Sequence, residues 1–87
     1  MNIKKEIDQL VHWKQNGNFI ERTILFANFT EALSKMVEIG FICERLNHHP
    51  DWSNVYNQLH IRLTTHDKGQ ITESDILLAK EINAIVK

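Results

Sequence analysis

The sequence predicts one α+β domain over residues 1–87: a four-stranded antiparallel sheet with three helices packed on one face, in the order α-β-β-α-β-β-α. Three observations predict it. Three segments space their apolar residues by three and four, two intervening segments suit strands, and Asn-Gly and Asp-Lys-Gly-Gln supply turns between them.

Taken in order, Ile3, Ile7, Leu10 and Val11 place a short amphipathic helix over residues 3–11. Asn16-Gly17 then predicts a hairpin, because a type I′ turn needs positive φ at both central positions. A short strand precedes it and a longer one covers Phe19–Phe26. Ile20, Ile24 and Phe26 share a face, with Arg22 at an edge or in solvent. Asn28 and Glu31 resemble a capping box and open a helix of about four turns. Its apolar stripe is Phe29, Ala32, Leu33, Met36, Val37, Gly40 and Cys43, where Gly40 and Cys43 would let the helix approach the sheet closely. Cys43 reads as a small buried hydrophobe.

Residues 53–66 follow, with Leu59, Ile61, Leu63 and Thr65 on one face and His60, Arg62, Thr64 and His66 on the other. A two-residue turn at Asn57-Gln58 splits this stretch into a hairpin, since Asn tolerates the left-handed region. Asp67-Lys68-Gly69-Gln70 forms a turn. Thr72-Glu73-Ser74-Asp75 is a second capping box, and Ile76, Ala79, Ile82 and Val86 form the stripe of the last helix.

Composition narrows the function classes. Ten Lys and Arg against eleven Asp and Glu give a net charge of −1, so there is no general cationic field for nucleic acid. A single cysteine excludes an internal disulfide and a Cys-rich zinc site. No apolar run reaches about 18 residues and no charged-then-apolar leader is present, which predicts a cytoplasmic protein without a membrane span. Only two edges bound a four-stranded sheet, and they need cover or pairing, so a homodimer or homotetramer is expected.

The five histidines are the unusual feature. His48 and His49 follow the end of the long helix, and Pro50 pushes His49 toward an extended backbone. Neither lies on the apolar stripe, so core packing does not account for them. Trp52 and Tyr56 offer flat surfaces for a planar ligand, although Trp52 reads equally well as packing. His66 stands at the other end of the strand pair, beside Thr64, Thr65 and Asp67. Three readings compete. A metal site needs three or four ligands, and adjacent His48-His49 do not readily face one ion. Solvated loop histidines are the bland reading. General acid–base chemistry is favoured, because imidazole changes charge near neutrality.

Glu44, three residues, His48-His49-Pro50, five residues, Tyr56, nine residues, His66, eight residues and Asp75 together resemble the signature of the pterin-4a-carbinolamine dehydratases. The likeness runs from about Ile20 to Ile85 and takes in Phe26, Phe29, Asn54-Val55-Tyr56, Thr65-His66-Asp67 and Gly69-Gln70-Ile71-Thr72. It implies the same fold and a dehydratase acting on a 4a-hydroxytetrahydropterin, with no cofactor and no metal. The products are quinonoid dihydropterin and water, which recycles the tetrahydropterin of aromatic amino acid hydroxylases. By position, His48 and His66 resemble the acid–base pair. His49 resembles a member of the catalytic set that positions substrate, and Glu44 a carboxylate that orients a histidine or binds the pterin. Trp52 would wall the pterin site. Asp75 belongs to the pattern, yet its capping geometry accounts for it alone. Asn47 departs from members with Asp before the histidine pair, which bears on rate more than on function. His12 and His60 lie outside the pattern and are expected in solvent. Animal relatives also bind a homeodomain transcription factor, so an interaction protein with an inherited site is the alternative.

Overall fold

The computed structural model describes residues 1–86. Its elements are α1 (Ile3–Gln9), β1 (Lys14–Asn16), β2 (Phe19–Leu25), α2 (Phe29–Leu46), β3 (Asp51–Val55), β4 (Gln58–Leu63) and α3 (Glu73–Ile85). The strands form one antiparallel sheet in the order β1-β2-β4-β3. Ile20 and Ile24 of β2 and Leu59, Ile61 and Leu63 of β4 point to one face and are buried. The core closes over them with Ala32, Ile39 and Cys43 of α2 and Ile76, Leu78, Ala79 and Ile82 of α3. The predicted element order and sheet are therefore present.

Several local expectations shift. The first helix stops at Gln9 rather than residue 11: Leu10 caps it, Val11 is exposed, and His12 takes a positive φ of 73°. The first hairpin turns at Gly17-Asn18 and not Asn16-Gly17, because Asn16 pairs with Phe19. Gly17, at φ 64°, then occupies the first central position, where a type II′ turn wants glycine. The second hairpin turns at Tyr56-Asn57, one residue before the expected Asn57-Gln58, since Val55 pairs with Gln58. Tyr56 takes the left-handed conformation at φ 52°, and the Asn54 side chain donates to the Tyr56 and Gln58 carbonyls across the turn.

Arg22 lies neither at an edge nor free in solvent. Strand β2 is internal, and Arg22 points to the covered face, where its Nη1 donates to Asn83 Oδ1 at 2.5 Å. Asn83 also accepts from Trp13 Nε1 and donates to the Val11 carbonyl, tying α3 to the start of the chain. Burial lowers the Arg22 pKa because it disfavours the charged form.

Helix α2 has two apolar faces, which helical periodicity alone does not rank. The inner one is Ala32, Met36, Ile39 and Cys43. Phe29, Leu33 and Val37, expected inward, are exposed together with Phe41 along the outer face. Gly40 is not a close-approach position either: a Cβ there would meet nothing within 4 Å. Cys43 is buried as expected, and burial raises its thiol pKa.

Candidate active site

The site begins at the C-terminus of α2. Asn47 ends the helix in the left-handed region, at φ 51° and ψ 45°, a conformation Asn tolerates better than most residues. Its N–H donates to the Glu44 carbonyl and the His48 N–H to the Cys43 carbonyl, the paired bonds of a Schellman motif. The chain is thus turned sharply just before His48. His49 and Pro50 then lead into β3.

The two adjacent imidazoles part company. His48 turns inward, with 13% of its side chain exposed, and its Nε2 lies 2.5 Å from Asp75 Oδ1. His49 turns outward, 56% exposed, and its Nε2 lies 2.5 Å from Glu44 Oε2, one helical turn back on α2. Glu44 itself is 76% exposed.

Asp75 is the one charged residue that is fully buried among those described, at 0% exposure. Its Oδ2 accepts from the Thr72 N–H at 2.9 Å, as the capping box predicts, and from the Thr65 hydroxyl at 2.8 Å. The capping role was legible in the sequence; the bond to His48 was not. Capping explains only part of Asp75, and its recurrence in the dehydratase-like pattern was the signal pointing to more.

His66 is exposed and sits in the turn between the bridged residues Thr65 and Gln70. The hairpin register places Asp51 opposite Arg62, so residues 48–50 enter and residues 64–66 leave the sheet at the same end. His66 is therefore not at the far end of the strand pair from His48-His49. Tyr56 is: it lies in the opposite turn, beyond the five residues of β3 or roughly 17 Å at the usual strand rise. It is not placed beside His48. Trp52 pairs with Ile61 and so shares the helix-covered face, half-buried against the core.

His60 is not simply solvated. On the open face of the sheet its Nδ1 lies 2.8 Å from Thr23 Oγ1 and its Nε2 3.1 Å from Glu21 Oε1. His12 is exposed, as expected. Among the described residues, no group of three or more His, Cys, Asp or Glu side chains is placed to hold a metal ion. No helix among them is long and apolar enough to cross a membrane.

With Nε2 of each imidazole facing a carboxylate, His48 and His49 can each present Nδ1 elsewhere. This suits movement of a proton at one ring and orientation of a bound molecule at the other.

Comparison with known proteins agrees with this fold. A profile described as pterin 4 alpha carbinolamine dehydratase matches residues 1–85. A protein of Prochlorococcus marinus subsp. pastoris, provisionally named a pterin-4-alpha-carbinolamine dehydratase, is 52% identical over 73 residues, covering 84% of this chain and 76% of that one. A Sulfurisphaera tokodaii protein of the same provisional name is 40% identical over 84 residues, covering 97% and 90%. The crystal structure of a transcriptional coactivator/pterin dehydratase from Brucella melitensis superposes with a TM-score of 0.93 at 32% identity, covering 98% of this chain and 93% of that one. With the profile spanning nearly its whole length and the fold shared throughout, the chain belongs to the pterin 4 alpha carbinolamine dehydratase family.

Proposed function

We propose that this protein, acting as a single domain in the cytoplasm, dehydrates a 4a-hydroxytetrahydropterin to quinonoid dihydropterin and water. In this role it recycles the tetrahydropterin of aromatic amino acid hydroxylases. The observation that carries the reading is the His48–Asp75 pair, a part-buried imidazole fixed by a fully buried carboxylate in a member of this family. Dehydration breaks the C4a–O bond and removes the proton on N5. One imidazole protonates the departing hydroxyl, so that water leaves rather than hydroxide. A second takes the N5 proton as the C=N bond forms, and exchange with solvent resets both. His48 and His66 take these two roles. His49, steadied by Glu44, holds the pterin, and Trp52 contributes an apolar wall.

The substrate loses the elements of water with no net oxidation or reduction, so no electron carrier is needed, and activity is expected to survive dialysis against EDTA. The test generates the carbinolamine with an aromatic amino acid hydroxylase and follows dehydration by absorbance. Acceleration over the spontaneous rate is expected. No acceleration by folded protein would sink the reading, and loss on chelation with recovery on zinc would move it to metal-assisted chemistry.

A homodimer or homotetramer fits the same reading. Strand β3 is an unpaired sheet edge, and Phe29, Leu33, Val37 and Phe41 form an exposed apolar row on α2. Light scattering at micromolar concentration should give a mass at least twice 10.2 kDa. The alternative, an interaction protein with an inherited site, is favoured by one observation: the similar Brucella melitensis structure is that of a transcriptional coactivator/pterin dehydratase. The carbinolamine assay separates the two, because an inherited site need not turn over.

A further inference from the structure

Asp75 makes more bonds than capping α3 requires. It accepts three donors, from the Thr72 N–H, the Thr65 hydroxyl and His48 Nε2. An ionised carboxylate only accepts, so each partner must donate. This sets every hydrogen in the cluster. His48 carries its proton on Nε2. Thr65 gives its single hydroxyl hydrogen to Asp75, so the Thr72 hydroxyl, 2.6 Å away, donates to Thr65.

Thr65 is also the residue on which the following turn closes. Its N–H donates to the Gln70 carbonyl at 3.0 Å, and its carbonyl accepts from the Lys68 and Gly69 N–H groups at 3.0 and 2.8 Å. His66 is the next residue in that turn, and its own carbonyl accepts from the Gly69 N–H. One buried carboxylate therefore holds His48 directly and the base of the His66 turn through one hydroxyl.

We propose that Asp75 and Thr65 are positioning residues for the two acid–base histidines, with Nδ1 of His48 as the nitrogen that exchanges a proton with the substrate. The acid–base roles rest on the dehydratase reading above; the shared anchor rests on the hydrogen bonds alone. Asp75 selects the tautomer of His48, and Thr65 makes the location of His66 depend on the same group. A displacement on the order of 1 Å at either imidazole is enough to cost up to about 100-fold in rate.

The test combines a spectroscopic and a kinetic measurement on the whole protein. Long-range ¹⁵N–¹H NMR of the wild type, recorded with the His48 ring neutral, should show Nε2 protonated and Nδ1 bare. The reverse tautomer overturns the proposal. Thr65→Val keeps the side-chain shape and removes the hydroxyl. It should move the imidazole signals of both His48 and His66 and lower kcat about 10- to 100-fold, with KM changed less than about 3-fold. Thr65→Ser restores the hydroxyl and should return both signals and kcat toward wild type. Folded Thr65→Val with unmoved His66 signals and wild-type kcat would overturn the anchor. If Thr65→Val does not fold, the wild-type tautomer and the Thr65→Ser kinetics decide. Should the wild type show no dehydration at all, the dehydratase reading fails by itself, while the tautomer and the His66 signals still judge the anchor.

Discussion

His48 and His49 are neighbours in the chain, and each places Nε2 2.5 Å from a carboxylate oxygen. Geometry alone makes the two pairs look alike. Burial separates them: Asp75 is fully enclosed and already holds two other donors, whereas Glu44 and His49 both lie mostly in water. A charge pair in water is screened and each partner has solvent as a substitute. In the core there is no substitute, so removing one partner strands the others. The same bond length thus describes a fixed part of the fold in one case and an adjustable surface contact in the other.

The largest expected effect comes from deleting each carboxylate. Asp75→Ala strands the Thr72 N–H, the Thr65 hydroxyl and the His48 ring, and should destabilise the protein by about 3–5 kcal/mol. Glu44→Ala should cost about 1 kcal/mol or less. Denaturant melts of the two variants measure this, and equal losses would break the comparison.

Next in size is the split between the histidines. His48→Ala and His66→Ala should each lower kcat by about 10²–10⁴-fold, while His49→Ala should chiefly raise KM. The two kcat losses need not multiply, because either imidazole can serve a different stereoisomer of the 4a-hydroxyl. Wild-type kcat in folded His48→Ala and His66→Ala would show that neither imidazole handles a proton.

Salt sharpens the contrast further. Raising ionic strength from about 0.1 to 1 M shortens the screening length from about 10 to 3 Å, which weakens the exposed His49–Glu44 contact, when its imidazole is protonated, more than the enclosed His48–Asp75 one. KM should rise with salt in the wild type and less so in Glu44→Gln, with kcat nearly flat. A steep fall in kcat would place the salt-sensitive pair at His48 instead.

The smallest effect concerns another outer pair, Lys80 Nζ to Glu6 Oε1 at 2.8 Å, which joins α3 to α1. The hydrogen bond and charge of Lys80 lower the Glu6 pKa below its ordinary 4.5. A folded-state pKa below the unfolded one contributes stability that is present above about pH 4.5 and lost as pH falls through the folded value. Lys80→Ala should therefore flatten the acid limb of the stability profile slightly and leave kcat unchanged. An altered kcat would mean that α1 reaches the site.

Local sequence patterns carried much of the fold. Asn28 and Thr72 opened helices where they were expected, and alternation of Leu59, Ile61 and Leu63 located an inward strand face. The hairpins were legible as hairpins but not in register: Asn16-Gly17 and Asn57-Gln58 each missed by one residue. Turn propensity names a neighbourhood, and the pairing of whole strands chooses the residue within it. The outer row of α2 was misread for a related reason. Phe29, Leu33 and Val37 are as apolar as the inner row, and only the positions of α3 and the sheet decide which row is covered.

The candidate site divides in the same way. By itself the sequence determined which chemistry is available: imidazoles at 48, 49 and 66, a carboxylate at 44, and a spacing that resembles one family, whose profile matches the chain. Those are properties of residue type and interval, which a chain carries before it folds. Tertiary structure alone decided that His48 turns inward to Asp75 and His49 outward to Glu44. It also decided that Thr65 ties the His66 turn to the same carboxylate, and that Tyr56 lies at the wrong end of its strand to join them. These outcomes depend on strand register and on which groups lose their water, and both are settled only when distant segments pack together.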